Sequence, residues 1–175
     1  MKTFISLISV LTMFISLPTF AIWQLDNKQS IVSFVSIKKA DIAEAHHFDV
    51  LEGMIKTNGE AKVTIALASV DSAIEIRDTR LKEMLFKTDL FPNAVMTANI
   101  SNKFIDKLTL GESSEMMLQG RLELNGNKKS VQVPTWVTKV SETKLMVVSI
   151  KAVIINAKDF GLEFCSNTDT VNSMP

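Results

Sequence analysis

The chain has 175 residues, of which 46% are apolar, and its 19 Lys and Arg balance 19 Asp and Glu. This charge balance excludes the strong basic bias of a nucleic-acid-binding surface and gives little attraction to an anionic membrane. The single cysteine, Cys165, excludes an intramolecular disulfide, so an apolar core must stabilise the fold.

The first residues have the pattern of an export signal. Lys2 supplies a positive start, an apolar stretch runs from Phe4 to Leu17, and small residues follow up to Ala21. The stretch is short for a stable transmembrane span, although a retained membrane anchor is the alternative. We therefore expect residues 1–21 to be a signal peptide and residues 22–175 to form one exported, periplasmic or secreted domain. That domain has 154 residues (175 minus 21) and a formal charge of −1 (18 minus 19).

The rest of the chain is mostly β in character. Residues 31–38 alternate with apolar side chains on both faces, which is typical of a strand that lines a cavity. Tight hairpin turns are expected at Asn58-Gly59 and Asn125-Gly126. Further strands are predicted over 51–57, 61–68, 94–101, 104–110, 115–124, 130–140 and 144–156. This pattern predicts an all-β barrel or sandwich.

One segment departs from the alternation. Between residues 72 and 86 the apolar residues recur at helical spacing, and Asp71 or Ser72 can cap a helix, with Glu75 completing a capping box. Phe91-Pro92 ends the segment. We predict a helical crossover near residues 72–86 that spans one mouth of a barrel.

Three phrases in a fixed order carry a family resemblance. They are Arg77-Asp78-x-Arg80-Leu81 leading to Phe91-Pro92, then Leu122-x-Leu124-Asn125-Gly126-x-Lys128, then Asp159-Phe160-Gly161-Leu162. Together they resemble the YceI-like family. The resemblance implies an antiparallel, lipocalin-like β-barrel of about seven or eight strands. It also implies an exported protein, not an enzyme, that binds, sequesters or transports a long apolar lipid such as a polyisoprenoid, a quinone or a fatty-acyl amide.

Two departures from the family pattern concern the C-terminal part. Asn156-Ala157-Lys158 stand where relatives carry an Arg before the Asp-Phe-Gly phrase, and relatives usually continue to a final strand. A missing last strand would leave an unpaired edge. A barrel closed by fewer strands, a homodimer and a degraded allele are the alternatives.

Ten residues are the candidate ligand contacts. Abundant Phe and Met and the absence of Tyr suit an apolar lining without hydroxyl groups. Lys38 and Arg77 are candidates for a polar headgroup at the mouth, with a solvated strand end and a structural ion pair as their alternatives. Ordinary core packing is the alternative for each apolar candidate. The full set is Phe34, Lys38, Phe48, Arg77, Phe86, Phe91, Leu118, Leu122, Trp136 and Phe160.

Catalytic and metal chemistry have weak support. His46 and His47 are adjacent and should point to opposite faces of a strand, so they would not readily share a metal. The sequence has no nucleophile elbow, phosphate loop or thiol cluster, and a bound isoprenoid or acyl lipid is the expected ligand instead of a cofactor. Two other functions remain open. One is a soluble accessory of a membrane quinone or b-type cytochrome system, and the other is an enzyme that acts on a lipid through His46, His47 and Asp78.

Overall fold

The computed structural model describes residues 23–38 and 42–162. Its strands are short at the start of the chain and long at the end. They are β1 Trp23–Gln24, β2 Val32–Lys38, β3 Ile42–Phe48, β4 Leu51–Ile55, β5 Glu60–Ala66, β6 Val70–Asp71, β7 Asn93–Asn99, β8 Ser113–Leu124, β9 Asn127–Ser141 and β10 Lys144–Ser149. Short 3₁₀ turns cover Asn27–Gln29, Leu67–Ser69 and Ala157–Phe160.

The strands form two antiparallel sheets. The larger sheet has seven strands in the order β1-β4-β5-β7-β8-β9-β10, and the smaller has three in the order β2-β3-β6. The larger sheet curls into a half-barrel. The prediction of an all-β, lipocalin-like fold is therefore confirmed.

Register divides the larger sheet into two faces. Leu51 lies opposite Ile65, Ile65 opposite Ala94, and Met96 opposite Leu122. Because side chains two residues apart share a face, these residues define one face, which we call the inner face. The opposite, outer face carries charged and polar side chains such as Lys62 and Arg121, in register with Thr97.

The hydrophobic core lies at one end of the inner face. Phe160 and Leu67 are 2% and 1% exposed, and they pack with Leu51, Ala94 and Leu124 of the larger sheet. The smaller sheet adds Phe48 and Val70, and the crossover adds Leu81 and Phe86. Burying each large side chain contributes about 1.5–3 kcal/mol, so this cluster is what holds the two sheets together.

The crossover is helical, as predicted, but it begins differently. Helix α1 spans Glu75–Arg80 and continues into a π-helical turn over Leu81–Phe86. The predicted Asp71 or Ser72 cap is wrong, because the residue before α1 is Ile74, with no side-chain cap. Asp71 instead accepts the N–H of Ala73 at 2.6 Å, and Ala73 adopts a left-handed φ of 59°.

Two predicted strands need correction. Residues 104–110 contain a short helix, α2 Asn102–Asp106, because Phe104, Ile105 and the buried Leu108 also fit one helical turn. The strand predicted over 144–156 ends at Ser149 as β10, and residues 150–156 are irregular. The β-branched residues of that tail favour a strand, but they have no neighbouring strand in the described sheets.

Both hairpin turns are confirmed. Gly59 and Gly126 have φ values of 84° and 74°, which Asn-Gly turns require.

In the described part of the chain, no helix has both the length and the hydropathy needed to cross a bilayer. The predicted signal peptide and Cys165 lie outside the described residues.

Candidate ligand-binding site

Three of the predicted contacts form an aromatic cluster, and two of them, Phe48 and Phe86, belong to the hydrophobic core. Phe34 on β2 lies 5.3 Å from Phe48 on β3 and 5.8 Å from Phe86 of the crossover, between ring centroids. Phe48 and Phe86 are 5.7 Å apart. These distances suit offset or edge-on ring packing, so the three rings form one aromatic cluster that ties the β2–β3 hairpin to the crossover.

A row of polar side chains continues the same face of the hairpin. Alternation along β2 places Ser36 beside Phe34, and the register places Glu44 opposite Ser36. The Oγ of Ser36 lies 2.9 Å from Nε2 of His46, which is 2% exposed. The Nη2 of Arg77 lies 2.7 Å from Oε1 of Glu44. We call Ser36, Glu44, His46 and Arg77 the polar row.

The Arg77–Glu44 pair is largely withdrawn from solvent. Their side chains are 23% and 18% exposed, so the pair is stronger than a surface salt bridge. Arg77 therefore carries its charge next to a carboxylate and does not present an uncompensated cation to a ligand. The sequence left two roles open for Arg77, a headgroup contact and a structural ion pair, and the structure shows it in an ion pair.

A second carboxylate braces the start of the crossover. Oδ1 of Asp78 accepts the N–H of Ser72 at 2.8 Å. Hydrogen bonding from Ser72 lowers the pKa of Asp78 below its ordinary value, against partial burial, with further lowering by the nearby charges of Lys82 and His46. Asp78 therefore stabilises the start of the segment that carries Arg77.

Small side chains line the inner face beyond the core. Ala61 on β5 lies opposite Ala98 on β7, and Ala98 lies opposite Gly120 on β8. Ile55 and Val131 extend this row at its two ends. All five residues are half-buried, and the flexible Met96 side chain lies over Gly120, since a Cβ at Gly120 would be 2.3 Å from its Cε atom. The row is a strip of small and apolar side chains on the inner face, closed at Gly120 by this methionine. We call it the trough.

The structure separates the three predicted contacts on β8 and β9. Leu118 and Leu122 are half-buried on the inner face, and Leu118 lies opposite Val133. Trp136 is 43% exposed and falls on the outer face, because it alternates with the buried Thr135 and Val137. Trp136 therefore does not share a lining with the two leucines, contrary to the grouping made from sequence.

Two further predicted contacts, Phe91 and Phe160, lie against the Asn125-Gly126 turn. A Cβ at Gly126 would lie 3.0 Å from the Phe91 ring, so Phe91 covers the Asn125-Gly126 turn. The carbonyl of Phe160 accepts the side-chain amides of Asn125 at 3.0 Å and Asn127 at 3.2 Å. The Asp-Phe-Gly phrase is thus bound to the Asn-Gly hairpin.

Sequence reasoning missed two members of the polar row. Ser36 and Glu44 were not candidates, although the spacing of Ser36 from Phe34 places both on one face of β2. The opposite orientation of His46 and His47 is confirmed, since His46 is buried and His47 is half-exposed. The side chain of Lys38 lies outside the described part of the structure, so its role stays a prediction.

His47 forms a separate polar group. Its Nε2 lies 3.2 Å from Oδ1 of Asp49 and 3.8 Å from Oδ2 of Asp71, and one donor atom of each residue lies within 4.8 Å of the others. Asp71 faces His47 because the two are directly paired across β3 and β6. Groups of this kind can hold a divalent cation and also pair directly with one another.

Two concavities in the described surface are open and partly polar. One of about 520 Å³ lies around Thr97, Gln119 and Arg121, and one of about 470 Å³ lies around Asn27, His47 and Asp49. Of the ten predicted contacts, the two concavities include Phe48 alone. Both concavities are lined mainly by polar and charged side chains, so neither matches a long apolar chain as well as the apolar side chains of the trough do.

Comparisons with known proteins give a consistent family assignment. A profile of the YceI-like domain matches residues 23–174. A polyisoprenoid binding domain from Saccharophagus degradans, implicated in plant cell wall breakdown, is similar with 31% identity and a TM-score of 0.77. The similarity covers 82% of this chain and 82% of that domain.

A second solved structure is more distant. BcnA from Burkholderia cenocepacia shares 20% identity with a TM-score of 0.61, over 78% of this chain and 84% of BcnA. At this identity the likeness concerns the fold. No curated protein matches the chain.

Proposed function

Since the chain belongs to the YceI-like family, we propose that it binds a long-chain apolar lipid and sequesters or carries it after export. A polyisoprenoid is the first candidate, because the similar Saccharophagus degradans domain is described as polyisoprenoid binding. A quinone and a fatty-acyl amide share the same chemistry of a long apolar chain with a small polar head.

The trough is the observation that carries this proposal. Its alanines are short, the flexible Met96 side chain that lies over Gly120 can move aside for a ligand, and its apolar side chains are half-buried instead of sealed in the core. A hydrocarbon chain laid along this row would bury apolar surface on both partners. Each buried methylene contributes about 0.8 kcal/mol, so about ten methylenes supply several kcal/mol of affinity.

The polar row sets the chemistry of the headgroup. Arg77 is already paired with Glu44, so an anionic phosphate at this place would face a carboxylate as well as a guanidinium. The Ser36 hydroxyl, 2.9 Å from Nε2 of His46, adds a polar group that carries no charge of its own. The headgroup that fits is therefore uncharged and polar, such as a hydroxyl, a carbonyl or an amide.

Export is part of the proposal. Lys2, the apolar stretch and the small residues before Ala21 support cleavage after Ala21 and a periplasmic or secreted location. The alternative, an accessory to a membrane quinone or b-type cytochrome system, stays a prediction.

Two isoprenoids that differ only in the headgroup test both lipid binding and the preference for an uncharged headgroup. Protein purified from a bacterial periplasm is extracted with solvent for lipid mass spectrometry, and then titrated with geranylgeraniol and with its diphosphate. We expect a stoichiometric lipid in the extract and binding of the alcohol at least about tenfold tighter, a difference of about 1.4 kcal/mol. A protein that is purified empty and binds neither isoprenoid contradicts lipid binding. A protein that binds the diphosphate more tightly than the alcohol still binds lipid, and contradicts only the proposal that the headgroup is uncharged.

Two matched substitutions locate the chain of the lipid. Ala98→Phe would fill the trough, whereas Thr97→Phe places the same ring on the outer face of the same strand. We expect Ala98→Phe to weaken geranylgeraniol binding at least about tenfold, since a bulky ring displaces the buried chain. Equal effects of the two substitutions would show that the lipid does not lie in the trough.

A further inference from the structure

A mixed group of nitrogen and oxygen donors lies on the face of the smaller sheet that points away from the core. His47 on β3 and Asp71 on β6 are directly opposite in the register, so their side chains share this face. Asp49 follows His47 by two residues, just beyond the end of β3, which places its side chain on the same face. We call these three residues the His47 group. Folding brings its members together from β3, from the connection after β3 and from β6.

The donor atoms of the His47 group are spaced as the ligands of one small cation. Zn²⁺ binds imidazole nitrogen and carboxylate oxygen at about 2.0–2.2 Å, so two ligands of one ion lie about 3–3.5 Å apart. Nε2 of His47 lies 3.2 Å from Oδ1 of Asp49 and 3.8 Å from Oδ2 of Asp71, and all three donors lie within 4.8 Å of one another. Small rotations of the two partly exposed Asp side chains bring the donors to this spacing.

Hydrogen bonds from outside the group hold its two acidic residues in place. Oδ1 of Asp71 accepts the N–H of Ala73 at 2.6 Å, while Oδ2 of the same carboxylate faces His47. The N–H of Asp49 donates to the carbonyl of Ser69 at 3.2 Å, which fixes the connection after β3 against the turn before β6. Partners of this kind orient the ligands of metal sites.

The negative charge of the His47 group exceeds what the protein supplies against it. Asp49 and Asp71 carry two charges, and in the described part of the chain His47 is their only ion-pair partner. An imidazole can compensate at most one of these charges. Lys28 lines the same concavity as His47 and Asp49, but the ion pairs of the described residues do not include it. A cation placed between the three donors would supply the missing positive charge.

We propose that the His47 group binds a divalent transition-metal ion, with Zn²⁺ as the first candidate. An imidazole nitrogen favours zinc over Mg²⁺ and Ca²⁺, which prefer oxygen ligands. The bound ion would join the end of β3 to β6, directly before the crossover, and so would stabilise the native fold. His47 points to the opposite face of β3 from His46 and the polar row, so this site does not depend on lipid binding.

Calorimetric titration with Zn²⁺ gives the first test. The full chain is expressed with its leader, without an affinity tag, in a Cys165→Ser background, so that no thiol captures the metal. We expect one Zn²⁺ per chain, and a Kd at least about tenfold weaker in His47→Ala and in Asp71→Asn. Asp89→Asn removes an exposed carboxylate outside the group and should bind zinc like the parent protein. Mg²⁺ should not displace the zinc.

Thermal unfolding gives the second test with a variant that spares the sheet. Asp49 lies outside the strands and its side chain is 61% exposed, so Asp49→Asn should fold like the parent protein, as circular dichroism can check. Zinc at about one hundred times its Kd should raise the Tm of the parent protein by about 5–10 °C. The same concentration should change the Tm of Asp49→Asn much less.

The remaining outcomes overturn the proposal. A titration that shows no zinc binding means that the three side chains pair only with one another. Zinc binding that survives both His47→Ala and Asp49→Asn assigns the metal to another part of the chain. Mg²⁺ that binds as tightly as zinc shows an acidic surface without the selectivity of an imidazole ligand. A Tm that zinc lowers shows that the metal prefers the unfolded chain.

Discussion

Asp78 is the residue whose protonation the structure ties to stability. Its pKa is lowered in the folded state, so its contribution is fully present above the ordinary value of 3.8 and is lost as pH falls through the folded pKa. The amide of Asp78→Asn keeps an acceptor for Ser72 but removes the charge. Charged hydrogen bonds exceed neutral ones by about 1 kcal/mol, which is the destabilisation that we expect at pH 7.

Urea unfolding at two pH values measures this effect. The difference in unfolding free energy between the native protein and Asp78→Asn should shrink as the pH is lowered below 3.8. An equal difference at neutral and acidic pH would mean that the substitution acts through packing and not through charge.

The Arg77–Glu44 pair joins the crossover to the β2–β3 hairpin, in addition to the contacts of the aromatic cluster. Arg77→Ala removes the guanidinium that lies 2.7 Å from the Glu44 carboxylate. The pair is neither fully buried nor exposed, so we expect a loss of about 2 kcal/mol, between the surface and buried limits. Arg80→Ala, on the exposed side of the same helix, should change the unfolding free energy by less than about 0.5 kcal/mol.

At the level of elements, two glycines at turns separate the effect of backbone conformation from that of a close contact. Gly59 and Gly111 both have positive φ, 84° and 82°, and both meet the same backbone penalty when replaced by Ala. They differ in space, because a Cβ at Gly59 would lie 2.1 Å from the Ile100 carbonyl oxygen, whereas the Cβ at Gly111 meets nothing within 4 Å.

Alanine at the two positions separates strain from steric conflict. Gly111→Ala should cost about 1–2 kcal/mol, the penalty of a left-handed residue. Gly59→Ala should cost more, because the Ile100 carbonyl, which is backbone, must also move. Thermal and urea denaturation of the two variants measure the difference, and equal losses would contradict the steric argument.

The same elements show what local sequence could and could not predict. The Asn-Gly turns and the alternation of β2 were predictable, because each is set by neighbouring residues. The face of Trp136 was not, since Trp136 and Val137 are both apolar and alternation alone does not tell which side is inside. The end of β10 at Ser149 was also missed, because a strand needs a partner as well as β-branched residues.

At the scale of the whole molecule, the ring cluster and the core close one end of the fold, and the trough leaves apolar surface half-buried. Phe34, Phe48 and Phe86 came from sequence as one set of contacts, and the structure brings them together. The polar row could not be anticipated in full, because the contact between Arg77 and Glu44 joins residues far apart in the chain. The candidate site is therefore a tertiary feature built on locally predictable strands.

A lipid that fills the trough should stabilise the whole fold, because it binds the native state and removes apolar surface from water. A ligand at about one hundred times its Kd adds about 2.7 kcal/mol. For a domain of this size that corresponds to a rise in Tm of about 5–10 °C. We expect the delipidated protein to melt lower than the purified one, and geranylgeraniol to restore the difference in the native protein but not in Ala98→Phe. Calorimetry of the two proteins with and without the alcohol checks this. A Tm that does not respond to lipid removal would mean that the inner face is already complete without a ligand, and that the protein works through its outer surface.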